Sequence, residues 1–245
     1  MRIFLITDTF NILKDDTMNS KRNTLATYQT YRKVISYKKS FQVTLTSFNN
    51  PFCFYVQEDL KSFKDLNDKL QNFYTQKSLV LIKNPSVGKI CAVKLSKDNA
   101  WYRAIIQNIN QDQNMVEVFF VDNGNKEFIT INEININICE LNEEFKKHPV
   151  MGLKCSLKGI EKNLKNSSDF KSLALPETVS VYFIGNYQDS YYVDVNFEQK
   201  GENDDLIIIN LNKYLIENRY VEFSNNNKLK HEMSTTENLN KNGKF

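Results

Sequence analysis

Histidine, cysteine and long apolar runs are scarce in this sequence, and each scarcity narrows what the chain can do. Its two histidines are His148 and His231. The second lies in a polar stretch, so a histidine-based metal or catalytic centre has little to build on. The four cysteines, Cys53, Cys91, Cys139 and Cys155, stand far apart with no Cys-x-x-Cys pair. Buried free thiols are expected rather than disulfides or zinc, and no metal or other cofactor is implied. No apolar run approaches the roughly 18 residues of a membrane span. The opening residues lack the basic, apolar and small-residue order of a signal peptide. A soluble, intracellular protein without membrane contact is expected. Charge of one sign is also missing: 32 basic residues face 29 acidic ones, and a net +3 does not by itself advertise nucleic-acid binding.

That balance is uneven along the chain. Residues 1–40 carry eight basic residues (Arg2, Lys14, Lys21, Arg22, Arg32, Lys33, Lys38, Lys39) against Asp8, Asp15 and Asp16, an excess of +5. Residues 1–36 therefore read as a basic, flexible leader, a solvated linker that is also able to touch RNA or an acidic partner. Residues 224–245, rich in Asn, Lys, Thr and Glu without apolar periodicity, read as a disordered tail.

The segment between is mainly β with a few helices, a β-rich α+β pattern. Phe41, Val43 and Leu45 alternate with polar residues, Asn49-Asn50-Pro51 makes a turn, and residues 52–56 return as a second strand. Leu60, Phe63, Leu66, Leu70 and Phe73 recur at spacings of three and four, which predicts an amphipathic helix over 58–75. Short strands are then expected at 89–95, 101–109, 115–121 and 126–131, enough for a small closed barrel. A short helix at 142–147 is stopped by Pro149. Beyond it come a strand at 151–157, a helical turn capped by Ser167-Ser168, two strands at 179–184 and 191–197 turned through Gly185-Asn186, a strand at 207–209 and a helix at 211–218. The simplest architecture inserts the small barrel into a second β-rich fold whose strands come from both sides of it.

Two runs carry the chemistry. Trp101-Tyr102-Arg103-Ala104 opens one barrel strand, and Val121-Asp122-Asn123-Gly124-Asn125 closes another. Asn123-Gly124 is the dipeptide favoured by a two-residue type I′ hairpin, with positive φ at both positions. Neighbours on a strand point to opposite faces, so Trp101 is expected in the core and Tyr102 at the rim. Phe119 and Phe120 divide the same way. Arg103 and Asp122 are expected to form a buried or half-buried pair bracing adjacent strands. Asn125 is read either as a stabiliser of its own turn or as a binding amide.

In the form G-x-x-C-A-V-K-L-S-K-D-N-A-W-Y-R-A over residues 88–104, followed by V-F-F-V-D-N-G-N, this stretch resembles the Tudor domain of the extended Tudor class. The resemblance spans roughly 37–223. It implies a Tudor β-barrel, about 86–139, inserted in a split oligonucleotide-binding-like (OB) fold related to staphylococcal nuclease, with halves at about 37–85 and 140–223. Such domains are non-enzymatic readers that dock arginine-rich, often dimethylated tails of PIWI-class Argonaute proteins. They serve as scaffolds in perinuclear cytoplasmic germ granules, where the piRNA pathway silences transposons. Other arginine-glycine-rich peptides are alternative partners, and bridging two of them requires self-association or a tail with a second partner.

In resembling domains four aromatic positions and one Asn box the dimethylarginine. Those positions fall here on Leu95, Tyr102, Phe120 and Asn123, with Asn125 as the hydrogen-bonding amide. Trp101, Arg103, Asp122 and Gly124 would support them. Two walls are thus not aromatic. A cation over an aromatic face gains about 0.5–2 kcal/mol, so two lost faces cost on the order of 1–4 kcal/mol, or roughly one to three decades of affinity. Weak or methylation-independent recognition is the expectation. A nuclease reading lacks the clustered acids and phosphate-directed arginines it would need: Asp189 and Asp194 form no convincing metal-binding set, and Glu143-Glu144 and Asp204-Asp205 read as surface. The alternative is a single-stranded RNA-binding module that uses the OB-like fold, with Tyr182, Tyr187, Tyr191 and Tyr192 as stacking platforms, and the basic leader.

Overall fold

The computed structural model describes residues 7–8, 30–31, 35–76, 79–82, 84–166, 169–170, 172–187, 189–201 and 204–223. Most of the basic leader, the 224–245 tail and the Ser167-Ser168 cap lie outside the described residues. In chain order the main strands are β1 (Lys39–Asn50), β2 (Cys53–Gln57), β3 (Ile90–Lys94), β4 (Trp101–Asn110), β5 (Met115–Phe120), β6 (Lys126–Thr130), β7 (Ile138–Glu140), β8 (Leu153–Leu157), β9 (Ile160–Asn163), β10 (Thr178–Tyr187), β11 (Ser190–Lys200), β12 (Leu206–Asn210) and β13 (Val221–Phe223). The helices are α1 (Leu60–Gln76), α2 (Ile134–Asn137), α3 (Glu143–Lys146) and α4 (Leu211–Glu217). A two-residue ladder also joins Thr7–Asp8 to Thr30–Tyr31. None of the described helices is long and apolar enough to cross a membrane.

The chain forms two compact units. Among the described residues, one comprises 35–58 and 153–223, and the other is built on 59–152. In the first, β2 pairs with β1, β1 with β10, β10 with β11, β11 with β8, and β8 returns to β2. The ring is closed. The β8–β11 pair is parallel, with Cys155 opposite Tyr191, and the others are antiparallel. Five strands in this order make the Greek-key barrel of an OB fold. Val179, Val181 and Phe183 on β10 and Val193, Val195 and Phe197 on β11 face inward at alternate positions, meeting Phe54, Val56, Cys155 and Leu157. β12 extends the sheet beyond β8 along the same edge of β11.

The β10–β11 hairpin turns later than expected. Gly185-Asn186 stays in the ladder, paired with Tyr192 and Tyr191, and the strands run on to Tyr187 opposite Ser190. The register shift between Phe183 and Gly185 absorbs the extra residue, a β-bulge where the missing side chain eases the distortion.

The second unit is built on an antiparallel sheet of order β6-β5-β4-β3-β7, with the helical turn Ile131–Asn137 carrying the chain from one edge strand to the other. β3 to β6 match the expected strands to within a residue or two, whereas β7 was not expected. Both faces are covered. Cys91, Val93, Ala104, Ile106, Val116, Val118, Phe120 and Ile138 pack on one side. On the other, Ala92, Trp101, Cys139 and Leu141 meet Leu66, Leu70 and Tyr74 of α1 and Phe145 of α3. Asp59 caps α1 by accepting from the Ser62 N–H at 3.0 Å, so the helix begins two residues later than periodicity suggests. Leu60 stays exposed while Tyr74 is buried, because the apolar stripe drifts around the helix toward Trp101.

Cys91, Cys139 and Cys155 are buried free thiols and Cys53 is half-buried. Burial pushes the Cys91 and Cys155 thiols well up and that of Cys139 to about 11.

Candidate functional site

Trp101 fixes the start of β4. Its backbone N–H donates to Gln71 Oε1 at 2.8 Å, its carbonyl accepts from Gln71 Nε2 at 2.6 Å, and its ring stacks on Tyr74 with centroids 5.2 Å apart. One residue on, the pleat sends Tyr102 to the opposite face. There it meets Phe120 edge-to-face, centroids 6.0 Å apart at 85°, and Leu95 packs against the same cluster. Tyr102 donates its hydroxyl to Asp98 Oδ2 at 2.8 Å. Burial, then the Asp98 carboxylate, push the Tyr102 phenol up to about 12. Asp98 sits in the tight turn joining β3 to β4, where the Leu95 carbonyl accepts from Asn99 N at 2.9 Å and Asp98 Oδ1 accepts from Ala100 N at 3.0 Å. Sequence reasoning passed over Asp98; its place four residues before Tyr102, across a turn, is the signal that would have found it.

Phe120 is 1% exposed and belongs to the interior of the sheet while also flooring the corner that it makes with Tyr102. Phe119 is buried as well. After Phe120 the chain leaves the ladder through a five-residue loop, not a two-residue type I′ turn. Phe120 O accepts from Asn123 N at 3.3 Å and from Gly124 N at 2.8 Å, and Phe120 N donates to Asn125 O at 3.0 Å. Gly124, at φ 79°, is the left-handed residue of the loop, whereas Asn123 keeps negative φ.

The cause is Asp122. Its carboxylate is drawn under the loop to Arg103, which is 1% exposed: Arg103 Nε donates to Oδ2 at 2.9 Å and Nη2 to Oδ1 at 2.6 Å. The remaining guanidinium hydrogens reach the carbonyls of Phe145 (2.9 Å), His148 (2.7 Å) and Pro149 (2.8 Å). All five donors are used, as a buried guanidinium requires. Asp122 Oδ1 also accepts the Met151 N–H at 3.0 Å. Gly152 follows against the loop, where a Cβ would stand 2.6 Å from Val121 O. Arg103 and Asp122 therefore form a structural clamp that fixes the loop carrying Asn123 and Asn125.

Both amides are half-buried. Asn125 Oδ1 is buried without a hydrogen-bond partner among the described residues. A buried acceptor left unpaired is costly, and a donor brought by a ligand would satisfy it. The structure thus brings Leu95, Tyr102 and Phe120 into one cluster, with Asn123 and Asn125 in the loop that leaves Phe120.

Other candidate residues lie elsewhere. Tyr191 is used in the OB core, edge-on to Phe183, while Tyr182 and Tyr192 are half-buried and the Tyr187 side chain lies outside the described residues. Asp189 pairs with Lys154 at 2.7 Å, and burial raises the Asp194 carboxyl. No group of three or more His, Cys, Asp or Glu side chains among the described residues is placed to hold a metal ion.

A sheet of this order, carried on a segment inserted into a split five-strand OB barrel, defines the extended Tudor fold. The same fold occurs in extended Tudor domain TD3 from mouse TDRD1, solved with a MILI peptide containing dimethylarginine: TM-score 0.65 and 20% identity, over 79% of this chain and 97% of that one. It occurs too in the Drosophila melanogaster Papi extended Tudor domain, solved with a dimethylated Piwi N-terminal peptide: TM-score 0.60 and 20% identity, over 76% and 100%. The Tudor domain family model matches residues 35–159, just over half of the chain, and the chain belongs to that family. It is 31% identical over 135 residues to Tudor domain-containing protein 1 of Danio rerio, an alignment that takes in 54% of this chain and 11% of the length of that relative.

Proposed function

We propose that this chain is a non-enzymatic docking adaptor that takes an arginine-rich peptide, such as the N-terminal tail of a PIWI-class protein, at the corner formed by Leu95, Tyr102, Phe120 and Asn125. In this reading dimethylation of the arginine matters little. The observation that carries it is the unpartnered Asn125 Oδ1 in the loop that leaves Phe120, next to two rings set at right angles. A guanidinium is flat, cationic and edged with N–H donors, so one ring face, one ring edge and one amide acceptor suit it. The dimethylarginine peptides bound by the TDRD1 and Papi domains support the ligand class.

Methylation keeps the charge, removes donors and adds apolar surface that aromatic walls reward. Leu95 offers an apolar wall without a π face, and Asn123 offers none. The corner therefore grips charge and shape more than methyl groups. Such docking would place the chain in cytoplasmic, perinuclear granules of the small-RNA pathway that silences transposons. Fluorescence anisotropy with a labelled arginine-glycine peptide tests the site: Tyr102→Ala and Asn125→Ala should each weaken binding about tenfold or more, on the scale of one lost cation–π contact or charged hydrogen bond. Binding that survives both substitutions unchanged would remove this corner as the site.

A further inference from the structure

We propose that the free edge of β12 is a docking strand for a basic, extended peptide, which joins the OB sheet as a further strand. β12 pairs with β11 from Asn196–Asn210 to Lys200–Leu206, and among the described residues nothing pairs with its other edge. Every second residue there leaves its N–H and C=O unmatched. Edges of soluble proteins are commonly blunted by charge, proline or a bulge. This one reads Leu-Ile-Ile-Ile-Asn, with Leu206 67%, Ile207 46% and Ile208 72% exposed.

The face beside the edge is shaped as well. Leu206, Ile208 and Asn210 alternate onto the outer face of the sheet, opposite Lys200, Glu198 and Asn196, and Asn210 Nδ2 donates to Asn196 Oδ1 at 3.0 Å. A groove of about 530 Å³ runs across it, lined by Gln42, Thr178, Ser180, Asn196, Glu198 and Ile208. A strand added to the edge would lay alternate side chains over this groove.

Charge selects the occupant. Glu198 lies in the groove and Asp204-Asp205 precede the strand, whereas the nearby Lys200 is held by Asp204 at 3.3 Å. The complement is a strand with basic residues on its groove side. Area argues against a second copy of this chain. At roughly 100 Å² per fully buried aliphatic side chain, the three exposed residues offer on the order of 200 Å², against about 800 Å² per partner in a stable dimer. Strand addition draws its affinity from main-chain hydrogen bonds and needs less apolar surface.

The test uses the full chain and a labelled, end-capped (Lys-Val)4 peptide, with (Glu-Val)4 as control. The basic peptide should bind and slow amide exchange over 206–210, and the acidic one should do neither. Ile208→Lys and Glu198→Lys, both on the exposed face, should each weaken binding about tenfold, while Tyr102→Ala leaves it unchanged, because this edge does not depend on the arginine site. Equal binding of the two peptides, exchange at 206–210 that the basic peptide does not slow, binding that appears only when residues 224–245 are removed, or a dimer that Ile208→Lys abolishes would each overturn the proposal.

Discussion

At the scale of single residues, one charge pair holds the candidate site and one phenol closes it. Arg103 gives its five hydrogens to Asp122 and to three backbone carbonyls. A side chain without charge at position 122 strands a buried guanidinium. Asp122→Asn is therefore expected to destabilise the chain by about 3–5 kcal/mol, measurable by urea unfolding, and a change below about 1 kcal/mol would deny the pair its role. Tyr102 behaves differently. Its phenol, pushed up to about 12 from an ordinary 10.0, keeps a proton in the folded state that the unfolded chain releases. That stability is complete below about pH 10 and fades as pH rises toward 12. Tyr102→Phe, which has no phenol, should flatten this part of the alkaline unfolding profile. Some of these roles are legible in the residues: Trp-Tyr-Arg-Ala assigns core, rim and brace by strand alternation alone. Asp122 is legible as a partner of Arg103, but its other three partners are not, because they are backbone carbonyls more than 40 residues away.

Among the elements, strands were easier to read than turns. Period-2 alternation located β3 to β6 because each strand buries at least one face against a core, and the wrong register would expose it. Turns obey what lies beneath them. Asn123-Gly124 favours a type I′ hairpin locally, yet the pull of Arg103 on Asp122 opens a five-residue loop with Gly124 in the left-handed region. Gly124→Ala should then cost about 1–2 kcal/mol, since an L-residue pays that to enter this region. No left-handed cost attaches to position 123. Comparable cost for backbone strain at both positions, seen by chemical denaturation of Gly124→Ala and Asn123→Ala, would favour the two-residue turn instead. Gly185 misleads in the same way: a turn by composition, it is a bulge in the fold because β10 and β11 have partners along their whole length. The short β9–β13 ladder, joining Ile160–Asn163 to Val221–Phe223, leaves no local signal, since its two halves lie some 60 residues apart.

For the whole molecule, insertion is the organising fact. Residues 35–58 and 153–223 complete one closed barrel, and the segment between them carries a second sheet with cores on both faces. Sequence alone suggested an insertion, though with halves at about 37–85 and 140–223, because β pieces with helices flank the Trp-Tyr-Arg-Ala stretch on both sides. It did not show where, among the described residues, the sheet of the OB unit ends in a strand paired on one side. The proposed function rests on reading Leu95, Tyr102, Phe120 and Asn123 as cage positions, of which Leu95 and Asn123 are not aromatic, with Asn125 as the polar handle. The most direct measurement is isothermal titration of the full chain with an arginine-glycine peptide in two forms, symmetrically dimethylated and unmethylated. Affinities within about fivefold of each other, less than one full cation–π wall is worth, are the expected result. A preference of a hundredfold or so for the dimethylated form, the scale of two intact aromatic walls, would contradict the account.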